Sequence, residues 1–127
     1  MDLILDTNAL SAVAEGQPEI TGVVSSAARP AIPVIVLGEY RFGIALSRYK
    51  LAYERWLEKY LPAYTVLSVD EATAIRYAAI RGELKAAGTP IPSNDIWIAA
   101  LCRQHSYPIL SRDLHFDLVP GLKRVGW

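Results

Sequence analysis

Four short apolar runs, separated by longer stretches of helical character, restrict the fold of this chain more than any other feature. Each run has the length of a strand, and the segments between them carry apolar residues at helical spacing. We predict strands at 3–6, 32–35, 65–69 and 108–111, with a fifth at 123–127. Strands that alternate with helices pair in parallel. The sequence therefore predicts an α/β fold: a three-layer α/β/α sandwich around a central, mostly parallel sheet of four or five strands.

The helical segments have recognisable ends. Asp70 is expected to begin one helix and Gly88 to end it. The predicted apolar face of that helix consists of Ile75, Ala78, Ala79 and Ala86. The next helix opens at 93–95 and is apolar on most of its surface, so we predict that it is buried. Segment 37–61 predicts two consecutive helices with a break near 47–50.

Length and composition indicate one folded domain, residues 1–127. The chain is 52% hydrophobic and 20% charged, with no low-complexity tract, which argues against disorder. No apolar run approaches the roughly 20 residues of a membrane span, and the first residues do not have the pattern of a signal peptide. The one cysteine, Cys102, lies in an apolar helical pattern and is expected to be a buried thiol. We therefore expect a reducing, cytoplasmic setting.

The net charge gives no global argument about partners. Thirteen basic and thirteen acidic residues sum to zero, so the chain lacks the overall basic character typical of nucleic-acid binding. An acidic pocket surrounded by lysine and arginine would also sum to zero. The local placement of the charges therefore matters more than their total.

Four carboxylates interrupt or border apolar runs. Asp6 ends the first predicted strand. Glu39, which has Gly38 before it and Gly43 after it, is expected in the first turn after the second strand. Asp95 begins the most apolar helix, where Ser93 or Asn94 is available as the cap, and Asp113 follows the fourth strand. The ordinary explanation for each is a helix cap or a favourable charge at a helix start. The remaining glutamates of the long helices, among them Glu54, Glu58, Glu71 and Glu83, are typical of solvated helix faces.

Capping does not explain why all four carboxylates would gather at one edge of a parallel sheet. Two like charges about 4 Å apart repel by roughly 4 kcal/mol at the effective dielectric constant of a protein surface. A cation relieves that repulsion, and carboxylate oxygens suit Mg²⁺ or Mn²⁺. Zinc is disfavoured by one cysteine and two scattered histidines. A magnesium site with open positions commonly serves phosphate substrates, and the sequence has no GxxxxGK[ST] or GxSxG motif for another chemistry.

Four motifs in this order resemble those of the PIN-domain ribonucleases, and specifically the VapC toxins of bacterial and archaeal VapBC toxin–antitoxin pairs. They are LILDTN at 3–8, IVLGEY at 35–40 followed by Gly43, NDIWIAA at 94–100 and LSRDLHF at 110–116. The ending VPGL at 119–122, with Trp127, is also similar. The resemblance covers the whole chain and implies a PIN-like domain.

The resemblance implies roles for particular residues. Asp6, Glu39, Asp95 and Asp113 would be the catalytic, metal-binding carboxylates, and Asp117 a fifth, outer one. Thr7, Asn8 and Ser111 would support them, with Thr7 and Asn8 also capping the first helix. The implied reaction is hydrolysis of an RNA phosphodiester by water activated by Mg²⁺ or Mn²⁺. The family also implies a cognate VapB-like antitoxin and a homodimer.

The substrate and partner surfaces are less specific. Arg112, beside Asp113, and Arg41 are candidate RNA contacts, whereas His115 is interpreted as a turn residue. Four aromatic residues at helical spacing predict either core packing or a groove for a partner helix. They are Tyr49, Tyr53, Trp56 and Tyr60.

Two other functions stay open at this point. A phosphatase or phosphoacceptor domain also gathers aspartates at strand ends, but the DxDx[TV] motif is absent after Leu5. A catalytically silent PIN-fold scaffold that binds RNA or protein is the second, and loss of acidic ligands would be its signature.

Overall fold

The computed structural model describes residues 2–127, and within them the elements alternate as predicted. The strands are β1 (Asp2–Leu5), β2 (Arg29–Pro33), β3 (Thr65–Leu67), β4 (Ile109–Leu110) and β5 (Arg124–Val125). The α-helices are α1 (Thr7–Ala14), α2 (Pro18–Ser25), α3 (Val34–Ala45), α4 (Lys50–Tyr60), α5 (Glu71–Ala87) and α6 (Ser93–His105). Two short 3₁₀-helices are η1 (Leu61–Ala63) and η2 (Leu114–Leu118).

The five strands form one sheet in the order β3-β2-β1-β4-β5, and every neighbouring pair is parallel. β1 is central: Ile4 is in register with Ala31 of β2 on one side and with Ile109 of β4 on the other. Leu3, Ile4 and Leu5 are fully buried. Because successive strand residues face opposite sides of a sheet, both faces of β1 must be covered. The predicted α/β/α architecture with a parallel sheet is confirmed.

The chain reverses its direction across the sheet between β1 and β4. From β1 it proceeds through β2 to β3 on one side, and it then returns to place β4 on the other side of β1. The Asp6 N–H still donates to the Leu110 carbonyl at 3.1 Å, so the two strands stay paired up to this point. Beyond it the connections of the two strands run to opposite sides of the sheet. Open α/β sheets bind ligands outside the carboxyl ends of their strands at such a point.

The predicted strand ends were inexact, most of all in the second strand. The strand expected at 32–35 is Arg29–Pro33, and the apolar residues after Pro33 already belong to α3. The cause is that Val34 and Ile35, the apolar residues at the end of the predicted strand, form the first turn of α3, and a short apolar run alone does not distinguish a strand from a helix. Glu39 consequently lies in the second turn of α3 and not in the first.

The apolar face predicted for α5 was wrong, although its ends at Asp70 and Gly88 are confirmed. The buried residues are Thr73, Ile80 and Leu84, whereas Ile75 is exposed. Thr73 forms a capping box with Asp70, and its hydroxyl also donates to Gln104 of α6. These polar contacts turn a different face of α5 inward than hydropathy alone indicates. The predicted break between two helices is confirmed, since α3 ends at Ala45 and α4 begins at Lys50.

Two further features concern the core and the helices. Cys102 is a buried free thiol, as predicted. None of the helices within residues 2–127 combines the length and the apolar character needed to cross a membrane.

Phe116 anchors the turn between β4 and β5. It is fully buried, although its neighbours in η2 are exposed, and the same turn carries Asp113 and His115. One ring therefore fixes a segment whose other side chains face solvent.

We expect Phe116→Ala to lower the free energy of unfolding by about 3–5 kcal/mol, because it removes a large buried ring and leaves a cavity. Urea denaturation followed by circular dichroism measures the change. Leu114→Ala is the matched control, since Leu114 lies in the same 3₁₀-helix but is 65% exposed. Its effect should stay within about 0.5 kcal/mol. Equal losses in the two variants would show that Phe116 does not anchor the turn.

Candidate metal centre

Asp6 stands at the junction between β1 and α1 and is 5% exposed. It is itself the N-cap of α1, since its Oδ1 accepts from the Thr7 N–H at 2.8 Å. Its Oδ2 accepts from the Ser111 hydroxyl at 2.7 Å and from the Asn8 side-chain amide at 3.3 Å. The expectation that Thr7 and Asn8 cap the helix was therefore wrong. Because Asp6 itself accepts from the first helical N–H, the side chains of Thr7 and Asn8 make other contacts.

Thr7 connects Asp6 to Glu39. The Thr7 hydroxyl donates to Glu39 Oε1 at 2.9 Å, while its N–H is bound to Asp6. The contact joins α1 to α3 and places a second carboxylate beside the end of β1.

Ser111 connects Asp6 to Asp113. Its hydroxyl is fully buried, and besides donating to Asp6 it accepts from the Asp113 N–H at 2.9 Å and from the Asn8 amide at 3.2 Å. The Ser111 hydroxyl thus uses its one donor and both of its acceptor lone pairs. Asn8 also accepts from the Arg112 N–H at 3.3 Å, which ties the turn after β4 to the start of α1.

His115 connects Asp113 to Asp95. Its Nδ1 lies 2.9 Å from Asp95 Oδ2 and 3.1 Å from Asp113 Oδ1. Ligand atoms of these three residues all lie within 4.8 Å of one another. The interpretation of His115 as only a turn residue missed this contact. The available signal was its position two residues after Asp113, at the same edge of the sheet.

The four predicted carboxylates are therefore joined by one continuous series of contacts. In order, it runs Glu39, Thr7, Asp6, Ser111, Asp113, His115, Asp95. At α6, the expectation that Ser93 or Asn94 caps the helix was wrong: Pro92 occupies the N-cap position, and no side chain caps it. Asp95, in the first turn, carries the negative charge at that helix end.

Burial and mutual repulsion act in the same direction on this site. Burial raises the pKa of Asp6, and the charges of Asp95 and Glu39 raise it further, against the hydrogen bonds from Ser111 and Thr7. Burial likewise raises the pKa of Asp95, and the contact with His115 opposes this effect. A cation would relieve both the desolvation and the repulsion. The donors that the structure brings within 4.8 Å of one another, Asp95, Asp113 and His115, fit a divalent metal ion.

Asp117 makes a different contact from the one expected of an outer carboxylate. Its two oxygens accept from Arg124 at 2.8 and 3.1 Å, and this ion pair lowers the pKa of Asp117. Arg124 also donates to the Ser111 carbonyl at 3.1 Å. Asp117 thus supports the backbone of the site through Arg124.

The two arginines predicted as RNA contacts lie in different surroundings. The Arg112 guanidinium lies 4.6 Å from the centre of the Trp127 ring and donates to the Trp127 carbonyl at 3.3 Å. Arg41 lines a separate cleft with Glu54 and Glu58. Only Arg112 is tied to the contacts around Asp6, through Asn8.

The four aromatic residues of the segment around α4 divide into two pairs. Tyr53 and Trp56 pack against the core, as the ordinary interpretation predicts, while Tyr49 and Tyr60 are exposed. Tyr53 also lines a small cleft with Tyr40, whose buried hydroxyl has no hydrogen-bond partner within residues 2–127.

Comparison with known proteins finds one family over nearly the whole chain. The family model of the PIN domain matches residues 3–122. The chain is 33% identical to Ribonuclease VapC4 of Mycobacterium tuberculosis over 96 residues, which is 74% of each protein. It is 31% identical to Toxin FitB of Neisseria gonorrhoeae over 121 residues, 87% of each. The crystal structure of FitAcB from the same organism superposes with a TM-score of 0.86 at 30% identity, covering 96% of this chain and 95% of that one.

Asp6→Asn should stabilise the metal-free protein at neutral pH, because it removes a buried charge. Since folding raises the pKa of Asp6, the ionised side chain opposes folding above the ordinary carboxyl pKa. The advantage of the variant should therefore shrink as the pH falls through the raised pKa of the folded state, and it should be lost below the ordinary carboxyl pKa, where the wild-type side chain is protonated in both states. Urea unfolding in EDTA from pH 3 to pH 8 measures this. Glu58→Gln, on the exposed side of α4, should show no such trend, and a variant less stable than the wild type at pH 7 would contradict the prediction.

Proposed function

This chain belongs to the PIN-domain family, and on that basis we propose that it is a divalent-metal-dependent endoribonuclease and the toxin of a toxin–antitoxin pair. The observation that carries the proposal is the convergence of Asp6, Glu39, Asp95 and Asp113 at the carboxyl edge of a parallel sheet. The names of the relatives support the same activity: Ribonuclease VapC4, and the tRNA(fMet)-specific endonuclease VapC of Salmonella typhimurium, to which the chain is 29% identical over 133 residues.

We assign Asp6, Glu39, Asp95 and Asp113 to metal binding, within a single PIN domain spanning 1–127. A bound Mg²⁺ or Mn²⁺ would polarise the phosphate oxygens, lower the pKa of a water molecule and neutralise the leaving oxygen. The resulting reaction is hydrolysis of an RNA phosphodiester.

The hydrogen bonds of the site leave suitable lone pairs available for a cation. Each carboxylate oxygen has two lone pairs, and Asp6 Oδ1 uses one of them for the Thr7 N–H. Glu39 Oε1 is held by Thr7, and Glu39 Oε2 accepts no hydrogen bond within the described part of the chain. Thr7 and Ser111 therefore orient the carboxylates without consuming their capacity to bind metal.

Arg112 is the proposed RNA contact at this site. Its side chain is held against Trp127 by a cation–π contact and a hydrogen bond, and its exposed guanidinium forms no ion pair with an aspartate or glutamate in residues 2–127. A phosphate near Asp113 would therefore meet a positioned cation, which offsets repulsion from the four carboxylates.

We propose a cognate antitoxin as the protein partner. The related structures include FitAcB, at 30% identity, and a DNA-bound VapBC of Salmonella typhimurium, at 26% identity with a TM-score of 0.88. The exposed rings of Tyr49 and Tyr60 offer apolar surface for such a partner. The resemblance also implies a homodimer, which light scattering on the purified chain would test, and a cytoplasmic location.

Asp6→Asn and Asp95→Asn should each reduce RNA cleavage on the order of 100-fold or more, because each removes a proposed metal ligand. Labelled structured RNAs, including total tRNA, are incubated with purified protein in Mg²⁺ or Mn²⁺, with EDTA as a further control. Glu58→Gln, an acidic residue outside the site, should cleave like the wild type. Cleavage that persists in EDTA or in both site variants would contradict the assignment.

Arg112→Gln should weaken RNA binding and reduce the slope of log affinity against log salt by about 1, as expected for the loss of one phosphate contact. Filter binding of RNA by the Asp6→Asn protein in EDTA, where cleavage is expected to be slowest, measures both quantities. Arg55→Gln, on the exposed surface of α4, is the matched control. An unchanged slope in the Arg112 variant would remove this residue from the RNA-binding surface.

A further inference from the structure

His115 extends the acidic site with a nitrogen donor. It is one of two histidines in the chain, and its Nδ1 is directed at two proposed metal ligands, Asp95 Oδ2 and Asp113 Oδ1. The other histidine, His105, lies at the end of α6 against Tyr107. Of the two histidines, His115 is therefore the one that contacts proposed metal ligands.

The two separations around His115 are those expected between neighbouring ligand atoms of one metal ion. With metal–ligand distances of about 2.1 Å, two neighbouring ligand atoms lie about 3.0 Å apart. The separations from Nδ1 to the two carboxylate oxygens are 2.9 and 3.1 Å. These two separations suit one ion that contacts the imidazole and a carboxylate, and the ligand atoms of all three residues lie within 4.8 Å of one another.

The turn that carries His115 holds the ring in this place. The His115 N–H donates to Asp113 Oδ1 at 2.9 Å, so backbone and side chain are both tied to the same carboxylate. Phe116, the next residue, is fully buried and fixes the turn against the core. The ring is 46% exposed, which leaves room for an ion and its water molecules to enter.

We propose that His115 is a direct metal ligand and that it makes the site prefer a transition ion such as Mn²⁺ to Mg²⁺. This inference rests on the proposed metal-dependent function. Mg²⁺ binds oxygen donors and keeps several waters, so an imidazole contributes little to its affinity. First-row transition ions bind imidazole well, with affinities that rise from Mn²⁺ towards Cu²⁺. The mixed nitrogen and oxygen donor set therefore discriminates between the two kinds of ion.

The test measures metal binding without RNA. The purified chain is stripped with EDTA, dialysed and titrated with Mn²⁺, while electron paramagnetic resonance follows the loss of the free-ion signal. Mg²⁺ affinity is obtained by competition. Pulsed electron paramagnetic resonance on the Mn²⁺-loaded protein then detects the coupling of a directly bound imidazole ¹⁴N. The proteins are the wild type, His115→Asn, the matched control His105→Asn, and Asp6→Asn.

We expect nitrogen coupling in the wild type and in His105→Asn, and none in His115→Asn. The dissociation constant for Mn²⁺ should rise at least about 10-fold in His115→Asn, as for loss of a metal-site residue. The constant for Mg²⁺ should change by less than about 3-fold, because the oxygen donors remain.

Three other outcomes separate this inference from the proposed function. Mn²⁺ uptake that Asp6→Asn weakens, but with no nitrogen coupling in the wild type, would overturn the role of His115 and leave the metal site standing. Equal losses of Mn²⁺ and Mg²⁺ affinity in His115→Asn would mean that the imidazole only orients the carboxylates, and would also overturn it. No Mn²⁺ uptake by the wild type would overturn the proposed function as well.

Discussion

The hydrogen bond between Asp6 and Ser111 is the contact on which the geometry of the site depends. It is 2.7 Å long, both residues are buried, and it lies where the order of the strands reverses between β1 and β4. The first and the last motif of the chain, 105 residues apart, meet through it. Thr7 then extends the contact to Glu39, and the Asp113 N–H extends it on the other side. The Ser111 hydroxyl donates one hydrogen bond and accepts two. It thereby fixes the distances between Asp6, Asn8 and the backbone of Asp113, which strand pairing alone does not determine.

The same contact concentrates negative charge where water is largely excluded. Burial raises the pKa of both Asp6 and Asp95, so the folded metal-free protein holds charges that the unfolded chain would hold more easily. Holding these buried carboxylates together lowers the free energy of unfolding of the metal-free protein. Such a loss of stability is common at functional sites. His115 is the group that partly offsets this repulsion: its contact with Asp95 raises the histidine pKa and opposes the rise at Asp95.

The sequence was most informative where one local rule acts alone. The alternation of apolar runs with helices predicted the parallel sheet, and the four carboxylates that interrupt or border apolar runs indicated which side chains lie at its carboxyl edge. The errors arose where tertiary contacts compete with local rules. The apolar residues after Pro33 form a helix that packs on the sheet, and Thr73 faces inward because α6 supplies Gln104. The contacts of His115 with Asp95 and of Asp117 with Arg124 depend on how η2 settles between α6 and β5, which no residue spacing encodes.

The exposure of the site residues increases from the buried end of β1 to the surface at η2. Asp6 is 5% exposed, whereas the side chains of Asp95, Asp113 and His115 are 14%, 32% and 46% exposed. For the proposed RNA substrate, the open route is over η2, because the core covers β1 and solvent reaches Asp113 and His115. On that route the guanidinium of Arg112, the residue before Asp113, would offset the repulsion between a phosphate and the solvent-facing carboxylate.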